Sequence, residues 1–259
     1  MDGTLADTED IHRQAFNAAF IEFHIDYQWN RAEYKELLSI SGGNERIRQY
    51  LLDHDLISDK TVDIATLART IHTRKSEIYR QKLIDGHLVL RPGVHRLIHE
   101  AKDQGIKIGI ATSSSRQNLE TLLKLTLGND GLDLFETIVT CDDVENKKPS
   151  PAVYHYALNE LGLDPDNCIA VEDTHNGNMA AMATGINTII TTHQFTTDDN
   201  FAGASLVVDQ LGEPDQKFEI LAGKSHGHHY VDVNLLRKVL THRNEQQENK
   251  ISNPAFAAE

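Results

Sequence analysis

Four short segments of this 259-residue chain carry side chains suited to phosphate or metal chemistry. They are Met1-Asp2-Gly3-Thr4-Leu5, Thr112-Ser113, Lys148-Pro149 and Glu172-Asp173. Carboxylates are ligands that hard cations such as Mg²⁺ prefer, while a hydroxyl and an ammonium can bind phosphoryl oxygens. Each segment alone has an ordinary explanation, because Asp-Gly is a common turn and a hydroxyl after a strand commonly caps a helix. The four together indicate a site only if the fold gathers them.

The elements around these segments predict that the fold brings the four segments together. Beyond Arg91, helices and strands alternate, and the last three segments each come after a short apolar strand. The predicted strands cover residues 107–111, 137–140, 168–171, 187–190 and 205–208, and the predicted helices cover 94–104, 118–127, 151–161 and 178–183. This alternation predicts an α/β fold with a Rossmann-like parallel sheet and helices on both faces. Because sites in such sheets lie beyond the carboxyl ends of the strands, we expect the four segments to converge there.

The segment 8–88 has a different pattern. Apolar residues recur at helical spacing, as in Ile11, Ala15 and Ala19, and no strand is expected. The sequence therefore predicts an α/β core over residues 1–7 and 89–215, interrupted by a helical insert.

Residues 216–259 are expected to form a C-terminal extension, with one short helix over 231–239 followed by a flexible tail. This region contains His226, His228 and His229. We interpret the three histidines as a solvated polar turn, with a metal site as the alternative.

Composition limits the partners. The formal net charge is −14, and an acidic surface repels both nucleic acid and anionic lipid. No apolar run approaches the roughly 20 residues that span a bilayer, and no signal peptide is recognisable. With only Cys141 and Cys168 present, we expect a protein of the reducing cytosol or a plastid stroma, as a monomer or weak oligomer. A phosphorylated substrate would then be bound by a few local cations.

The four segments resemble, in order, the four motifs of the haloacid dehalogenase (HAD) superfamily. The first motif of that family is Asp-x-Asp-Gly-Thr-Leu, and Asp2 matches its second Asp. Thr112 matches the second motif, Lys148 the third, and Glu172 with Asp173 the fourth. The nucleophilic Asp of the family would lie one position before Met1.

The resemblance implies a mechanism. The first Asp of the family attacks phosphorus and forms an aspartyl-phosphate. Asp2 would protonate the leaving oxygen and then activate water, while Thr112 and Lys148 bind the phosphoryl oxygens. Mg²⁺ would be held by the first Asp, by the backbone carbonyl of Asp2 and by Asp173, with Glu172 assisting directly or through water.

Finer features resemble the CbbY and β-phosphoglucomutase branch of the superfamily. They are Arg13-Gln14-Ala15-Phe16, Ser41-Gly42-Gly43-Asn44-Glu45-Arg46-Ile47 and Lys148-Pro149-Ser150-Pro151. The branch implies that residues 8–88 form a cap that closes over the site. It also implies substrate contacts from Ser113 beside Thr112, and from Arg46, Lys75 and His12. The sequence departs from the branch at Asn44, where a basic residue is usual.

Three functions remain open at this point. A phosphatase for a small sugar phosphate, possibly a bisphosphate, is favoured; a sugar-phosphate mutase and a non-catalytic binding protein are the alternatives. We further expect that the printed sequence is the inner part of a longer reading frame. On that view residues 1–259 alone would be inactive and poorly folded, because the strand that carries the nucleophile belongs in the middle of the sheet.

Overall fold

The computed structural model describes residues 1–57, 59 and 61–241. Its helices are α1 (Glu9–Glu22), α2 (Arg31–Leu37), α3 (Gly43–Asp53), α4 (Ile64–Asp85), α5 (Val94–Asp103), α6 (Arg116–Leu127), α7 (Ala152–Leu161), α8 (His175–Met182) and α9 (233–241). Its strands are β1 (Gly109–Ala111), β2 (Thr137–Val139), β3 (Ile169–Glu172), β4 (Asn187–Thr191), β5 (Leu206–Val208) and β6 (Ile220–Gly223). Single 3-10 turns cover Gly131–Leu134 and Pro165–Asn167.

The strands form two hydrogen-bonded sheets. β1 and β2 run parallel, with Ile110 opposite Ile138. In the second sheet β3, β4 and β5 are parallel neighbours, and β6 pairs antiparallel with β5. Every residue of β4 is buried, as expected for a parallel strand covered on both faces. The predicted α/β fold with parallel strands is therefore confirmed.

Two features of the strands differ from the sequence prediction. A single sheet is expected, but no ladder joins β1 to β3 in the described part of the chain. The two strands are connected at their carboxyl ends by Lys148, whose Nζ donates to the carbonyl oxygen of Ala111 and to Glu172. In addition, β6 lies in the region expected to hold only a helix and a tail. All four of its residues are exposed, so the strand has no alternating pattern that the sequence could reveal.

Helices α1 to α4 form a helical layer over residues 9–85 with a core of its own. The largest fully buried side chains of this core are aromatic and branched: Phe16, Phe20, Trp29, Tyr34, Ile47, Leu51 and Ile71. The rings of Phe20 and Trp29 pack edge to face with centroids 4.8 Å apart. Tyr79 and Leu83 of α4 belong to a second cluster with Ile110 of β1, and this contact seats the helical layer against the first sheet.

Two helices begin directly at site segments and are capped by hydroxyls. Ser115 accepts from the backbone N–H of Asn118 at the start of α6, shortly after β1. Thr174 accepts from Gly177 N–H at the start of α8, shortly after β3. These caps fix the turns that follow the two strands, because each satisfies a helix N–H that has no partner within the helix.

The carboxyl-terminal region is described only as far as residue 241, so the predicted flexible tail lies largely outside the described residues. Within the described residues, its helix begins at residue 233 rather than at 231. His228 lies 3.0 Å from the carboxylate of Asp232. Across the described ranges, no group of three or more His, Cys, Asp or Glu side chains could hold a metal ion. The helices of those ranges include none that is both long and apolar enough to cross a bilayer.

Candidate active site

A pocket of about 220 Å³ lies between the helical layer and the carboxyl ends of β1 and β3. Its lining includes all nine residues to which the sequence analysis gives a role: Asp2, His12, Arg46, Lys75, Thr112, Ser113, Lys148, Glu172 and Asp173. Side chains from the first turn, from α1, α3 and α4, and from the turns after three strands thus meet in one place. This convergence is the one expected of parallel strands whose carboxyl ends share an edge.

The Asp2 carboxylate is held by the helical layer. Its Oδ1 accepts from Thr8 Oγ1 at 2.6 Å and from the Tyr79 hydroxyl at 2.8 Å, and it lies 3.1 Å from His12 Nε2. Burial alone would raise the pKa of Asp2. The interaction with His12, the amino-terminal charge of Met1 and the bond from Thr8 together outweigh burial and hold the pKa well below its usual range. Asp2 is therefore an ionised acceptor in this arrangement.

His12 connects Asp2 to a buried lysine. His12 Nδ1 lies 2.6 Å from Lys75 Nζ, and the ring of His12 stacks on that of Tyr79 with centroids 3.8 Å apart. We assign the tautomer from the partners, with Lys75 donating to Nδ1 and Nε2–H donating to Asp2. Burial lowers the pKa of Lys75 to about 7, and Arg46 adds to this, while the acidic neighbours Glu9 and Asp2 oppose it. The three side chains form a continuous path along which a proton can move.

Lys148 lies on the floor of the pocket in a buried ion pair. The side chains of Lys148 and Glu172 are 9% and 6% exposed, and Nζ donates to Glu172 Oε1 and, at 2.9 Å, to the carbonyl oxygen of Ala111. The buried hydroxyl of Tyr154 donates to the same Glu172 oxygen. Because two donors bind it, the Glu172 carboxylate is a firm anchor that fixes the ammonium at the ends of β1 and β3.

Asp173 is held from two sides. Thr4 Oγ1 donates to Oδ1 at 2.6 Å, and His193 Nε2 lies 3.2 Å from Oδ2. Phe195 N–H donates to His193 Nδ1 at 3.3 Å, so Nε2 carries the ring proton that faces Asp173. Burial opposes ionisation of Asp173, yet the bond from His193, the amino-terminal charge of Met1 and the bond from Thr4 lower its pKa, so Asp173 is an ionised carboxylate in this structure.

The first turn crosses directly over Asp173, and this requires glycine. Gly3 has φ +77°, and a Cβ built on it would lie 2.3 Å from Asp173 Oδ2 and 2.6 Å from His193 Nε2. Arg91 fixes the turn from below, because its guanidinium donates to the carbonyl oxygens of Gly3 and Thr192. The backbone of the turn can therefore approach the carboxylate without a side chain between them.

Thr112 and Ser113 form the turn after β1. Thr112 is buried, its N–H donates to Val139 O at 2.9 Å, and its hydroxyl accepts from Ser114 N–H at 3.1 Å. Both residues line the pocket beside Lys148. The turn is thus bonded to β2, and both of its residues line the pocket.

Arg46 lies in the lining but is already bonded. Its guanidinium donates to the carbonyl oxygens of Leu37 and Ile40 at 2.8 and 3.1 Å, and to the hydroxyl of Tyr34 at 3.3 Å. With the residue only 7% exposed, Arg46 links α2 to α3.

A family model for haloacid dehalogenase-like hydrolases matches residues 1–191. The chain belongs to the haloacid dehalogenase-like hydrolases. Protein CbbY of Cupriavidus necator is 39% identical over 238 residues, covering 92% of this chain and 93% of that protein. The CBBY-like protein of Arabidopsis thaliana is 34% identical over 224 residues, covering 85% of this chain and 70% of that protein. The resemblance drawn from the four motifs is therefore confirmed, and the chain is an enzyme of this hydrolase family.

Solved structures support the same family assignment. CbbY from Rhodobacter sphaeroides in complex with phosphate superposes with a TM-score of 0.74 at 38% identity, covering 81% of this chain and 91% of that one. A mutant of that protein in complex with xylulose-(1,5)bisphosphate gives the same values. A β-phosphoglucomutase from Clostridium difficile has a TM-score of 0.66 at 23% identity, which supports the fold alone.

Sequence reasoning missed several residues that position the site. They are Thr8 and Tyr79 on Asp2, Tyr154 on Glu172, His193 on Asp173, and Arg91 under the first turn. None lies within a motif, and each contact except that of Thr8 joins residues far apart in the chain. The one local signal is Thr8, a hydroxyl six residues after Asp2 at the start of α1.

Proposed function

We propose that this hydrolase removes a phosphate from a small sugar phosphate, with Mg²⁺ as its cofactor and sugar bisphosphates as its favoured substrate class. The observation that carries the proposal is the pocket itself. It places Lys148, Thr112 and two ionised carboxylates, Asp2 and Asp173, around a space of about 220 Å³ beneath the helical layer. Related CbbY structures in complex with phosphate and with xylulose-(1,5)bisphosphate support the choice of substrate.

The phosphoryl group would be bound at the carboxyl ends of β1 and β3. Lys148, held in place by Glu172, would offset the charge of the phosphoryl oxygens, and the hydroxyls of Thr112 and Ser113 would donate to them. In the family, the nucleophile is the first Asp of the first motif, two positions before the one that Asp2 matches.

Asp2 would handle the proton. It is an ionised acceptor in this structure, so a proton for the leaving oxygen has to reach it first, and His12 Nε2 is 3.1 Å away. Lys75, on the other nitrogen of His12, can resupply that proton because burial brings its pKa to about 7. After the leaving group departs, ionised Asp2 can take a proton from water.

The donor set fits a magnesium ion. Mg²⁺ commonly uses only one or two carboxylates and keeps several waters, and Asp173 offers an ionised carboxylate beside a backbone that only glycine allows so close. Asp173 and the carbonyl oxygen of Asp2 would hold the ion. Glu172 would contact the ion through a water molecule, because Lys148 and Tyr154 already bind its Oε1. The ion would supply charge stabilisation for the phosphoryl oxygens.

Residues 8–88, which include the helical layer, would act as a cap over the pocket. It provides the partners of Asp2 and one wall of the pocket, so its closure would both exclude water and set the proton path.

The test uses residues 1–259 preceded by a short apolar strand that ends in Asp, named here the completed chain. We expect it to release inorganic phosphate from xylulose 1,5-bisphosphate in the presence of Mg²⁺, and to stop when EDTA is added. The chain that starts at Met1 is the matched control and should release none. Turnover that persists in EDTA, or an isomerised sugar phosphate as the product, would contradict the proposal, the second outcome in favour of a mutase.

A further inference from the structure

Two consecutive lysines follow β2 and point in different directions. Lys148 lies on the pocket floor, whereas Lys147 lies at the mouth and reaches the helical layer. Lys147 Nζ lies 2.7 and 2.8 Å from the two carboxylate oxygens of Glu45 on α3. The pair bridges the layer and the core beside the pocket that Lys147 lines.

The Glu45 carboxylate lies at a position suited to an anion. α3 starts at Gly43, and its N-cap residue, Gly42, provides no side-chain cap. Gly42 has φ +95°, and a Cβ built on it would lie 2.1 Å from Glu45 Oε2 and 2.7 Å from Lys147 Nζ. Burial opposes ionisation of Glu45, but Lys147 and the backbone N–H of Glu45 itself lower its pKa. The carboxylate therefore folds back on the positive end of its own helix.

The other arginine and lysine side chains in the described lining of the pocket donate to buried groups of the protein. Arg46 donates to two backbone carbonyls, Lys75 to His12, and Lys148 to Glu172. Lys147 differs because its partner can move away, since the side chain of Glu45 is 45% exposed and that of Lys147 is 25% exposed. In the described part of the chain, exchanging one anion for another at Lys147 breaks no other side-chain hydrogen bond of this lysine.

We propose that Lys147 selects substrates with a second phosphate, and that Glu45 occupies the place of that phosphate in the free protein. This inference rests on the proposed function, because it assumes a sugar phosphate whose first phosphate lies at Lys148. The second phosphate displaces the Glu45 carboxylate from Lys147 and from the start of α3. A monophosphate leaves the Glu45–Lys147 pair intact and gains nothing from it.

The test measures binding by calorimetry in the presence of EDTA, because the completed chain is expected to hydrolyse the bisphosphate when Mg²⁺ is present. The ligands are xylulose 1,5-bisphosphate and xylulose 5-phosphate, and the proteins are the completed chain and its Lys147→Gln, Glu45→Gln and Lys35→Gln variants. Lys35 is the matched control, because it forms another ion pair between the helical layer and the core, 2.6 Å from Asp198, and does not line the pocket.

We expect Lys147→Gln to weaken bisphosphate binding about tenfold, since one partly solvated charged contact is lost. Glu45→Gln removes the competing charge and should strengthen bisphosphate binding severalfold. Neither change should alter monophosphate binding more than about twofold, and Lys35→Gln should alter neither ligand selectively.

The outcomes separate this inference from the proposed function. Bisphosphate binding that responds to both substitutions without any hydrolysis would support the inference and overturn the function. Hydrolysis with unchanged selectivity in both variants would overturn the inference alone. A selective loss in Lys35→Gln equal to that in Lys147→Gln would also overturn it, because closure of the layer rather than contact with phosphate would then explain the effect. Failure of the unaltered protein to bind either ligand would overturn both.

Discussion

Breaking the buried Lys148–Glu172 pair should cost a large part of the stability of the protein. Glu172→Gln leaves an ammonium on a side chain that is 9% exposed, with only neutral acceptors, the carbonyl oxygen of Ala111 and the new amide oxygen, and no counter-charge. Lys148→Met leaves a carboxylate on a side chain that is 6% exposed, with Tyr154 as its donor. An uncompensated buried charge typically costs about 3–5 kcal/mol. Against a net stability of about 5–15 kcal/mol, either change is large.

The double variant distinguishes pairing from packing. Lys148→Met with Glu172→Gln removes both charges, so we expect its loss of stability to be at least about 2 kcal/mol smaller than the sum of the single losses. The assay is urea unfolding of the completed chain followed by circular dichroism, with all four proteins measured at the same pH. Single losses below about 1 kcal/mol, or strictly additive losses, would refute the reasoning, because they would show that solvent already screens the pair.

Three further changes test the neighbouring groups. Asp173→Asn removes a charge and leaves a single side-chain oxygen to accept the bonds that Thr4 and His193 donate, so the Mg²⁺ concentration for half-maximal activity should rise at least about tenfold; an unchanged value would exclude Asp173 as a ligand. Burial lowers the pKa of Lys75 from 10.5 in the unfolded chain to about 7 in the folded protein. Between these two pH values the folded state binds fewer protons than the unfolded state, so the stability of the unaltered protein rises with pH. Lys75→Met should therefore be more stable than the unaltered protein at pH 6 and should lose that advantage by about pH 10. Parallel stability curves over that pH range would contradict this. Gly3→Ala should lower both the melting temperature and Mg²⁺ affinity, because its Cβ would lie 2.3 Å from Asp173 Oδ2, and wild-type values for both would be inconsistent with the geometry.

The strands and most helices of the core follow from local patterns. β4 runs from Asn187 to Thr191 and differs from the prediction by one residue, because a short apolar run between turns is a local signal. The four site segments could also be predicted to meet, because parallel strands place their carboxyl ends on one edge. The division of the chain into a core over residues 1–7 and 89–215, an insert over 8–88 and an extension over 216–259 stays a prediction.

The partners of the site residues could not be predicted, because they depend on tertiary packing. Arg46 illustrates this. Its position suggests a free cation for substrate, yet three acceptors from α2 and the turn after it surround its guanidinium. Those acceptors are backbone carbonyls and a hydroxyl, which no pattern of residue types distinguishes from solvent-facing groups. Lys147 shows the converse, since the sequence gives it no role and the structure places it at the mouth of the pocket.

The contacts of Asp2 connect the position of the helical layer to the chemistry. All three groups that contact its Oδ1 belong to the segment 8–85: Thr8 at the start of α1, His12 within it and Tyr79 on α4. Asp173 and Lys148, in contrast, are held by groups of the core and the first turn. A movement of the layer would therefore leave the phosphoryl-binding groups in place while it changes the hydrogen bonds and the pKa of Asp2. Under the proposed function, proton transfer would then be available only when the layer is in this position, which is also the position in which Glu45 contacts Lys147.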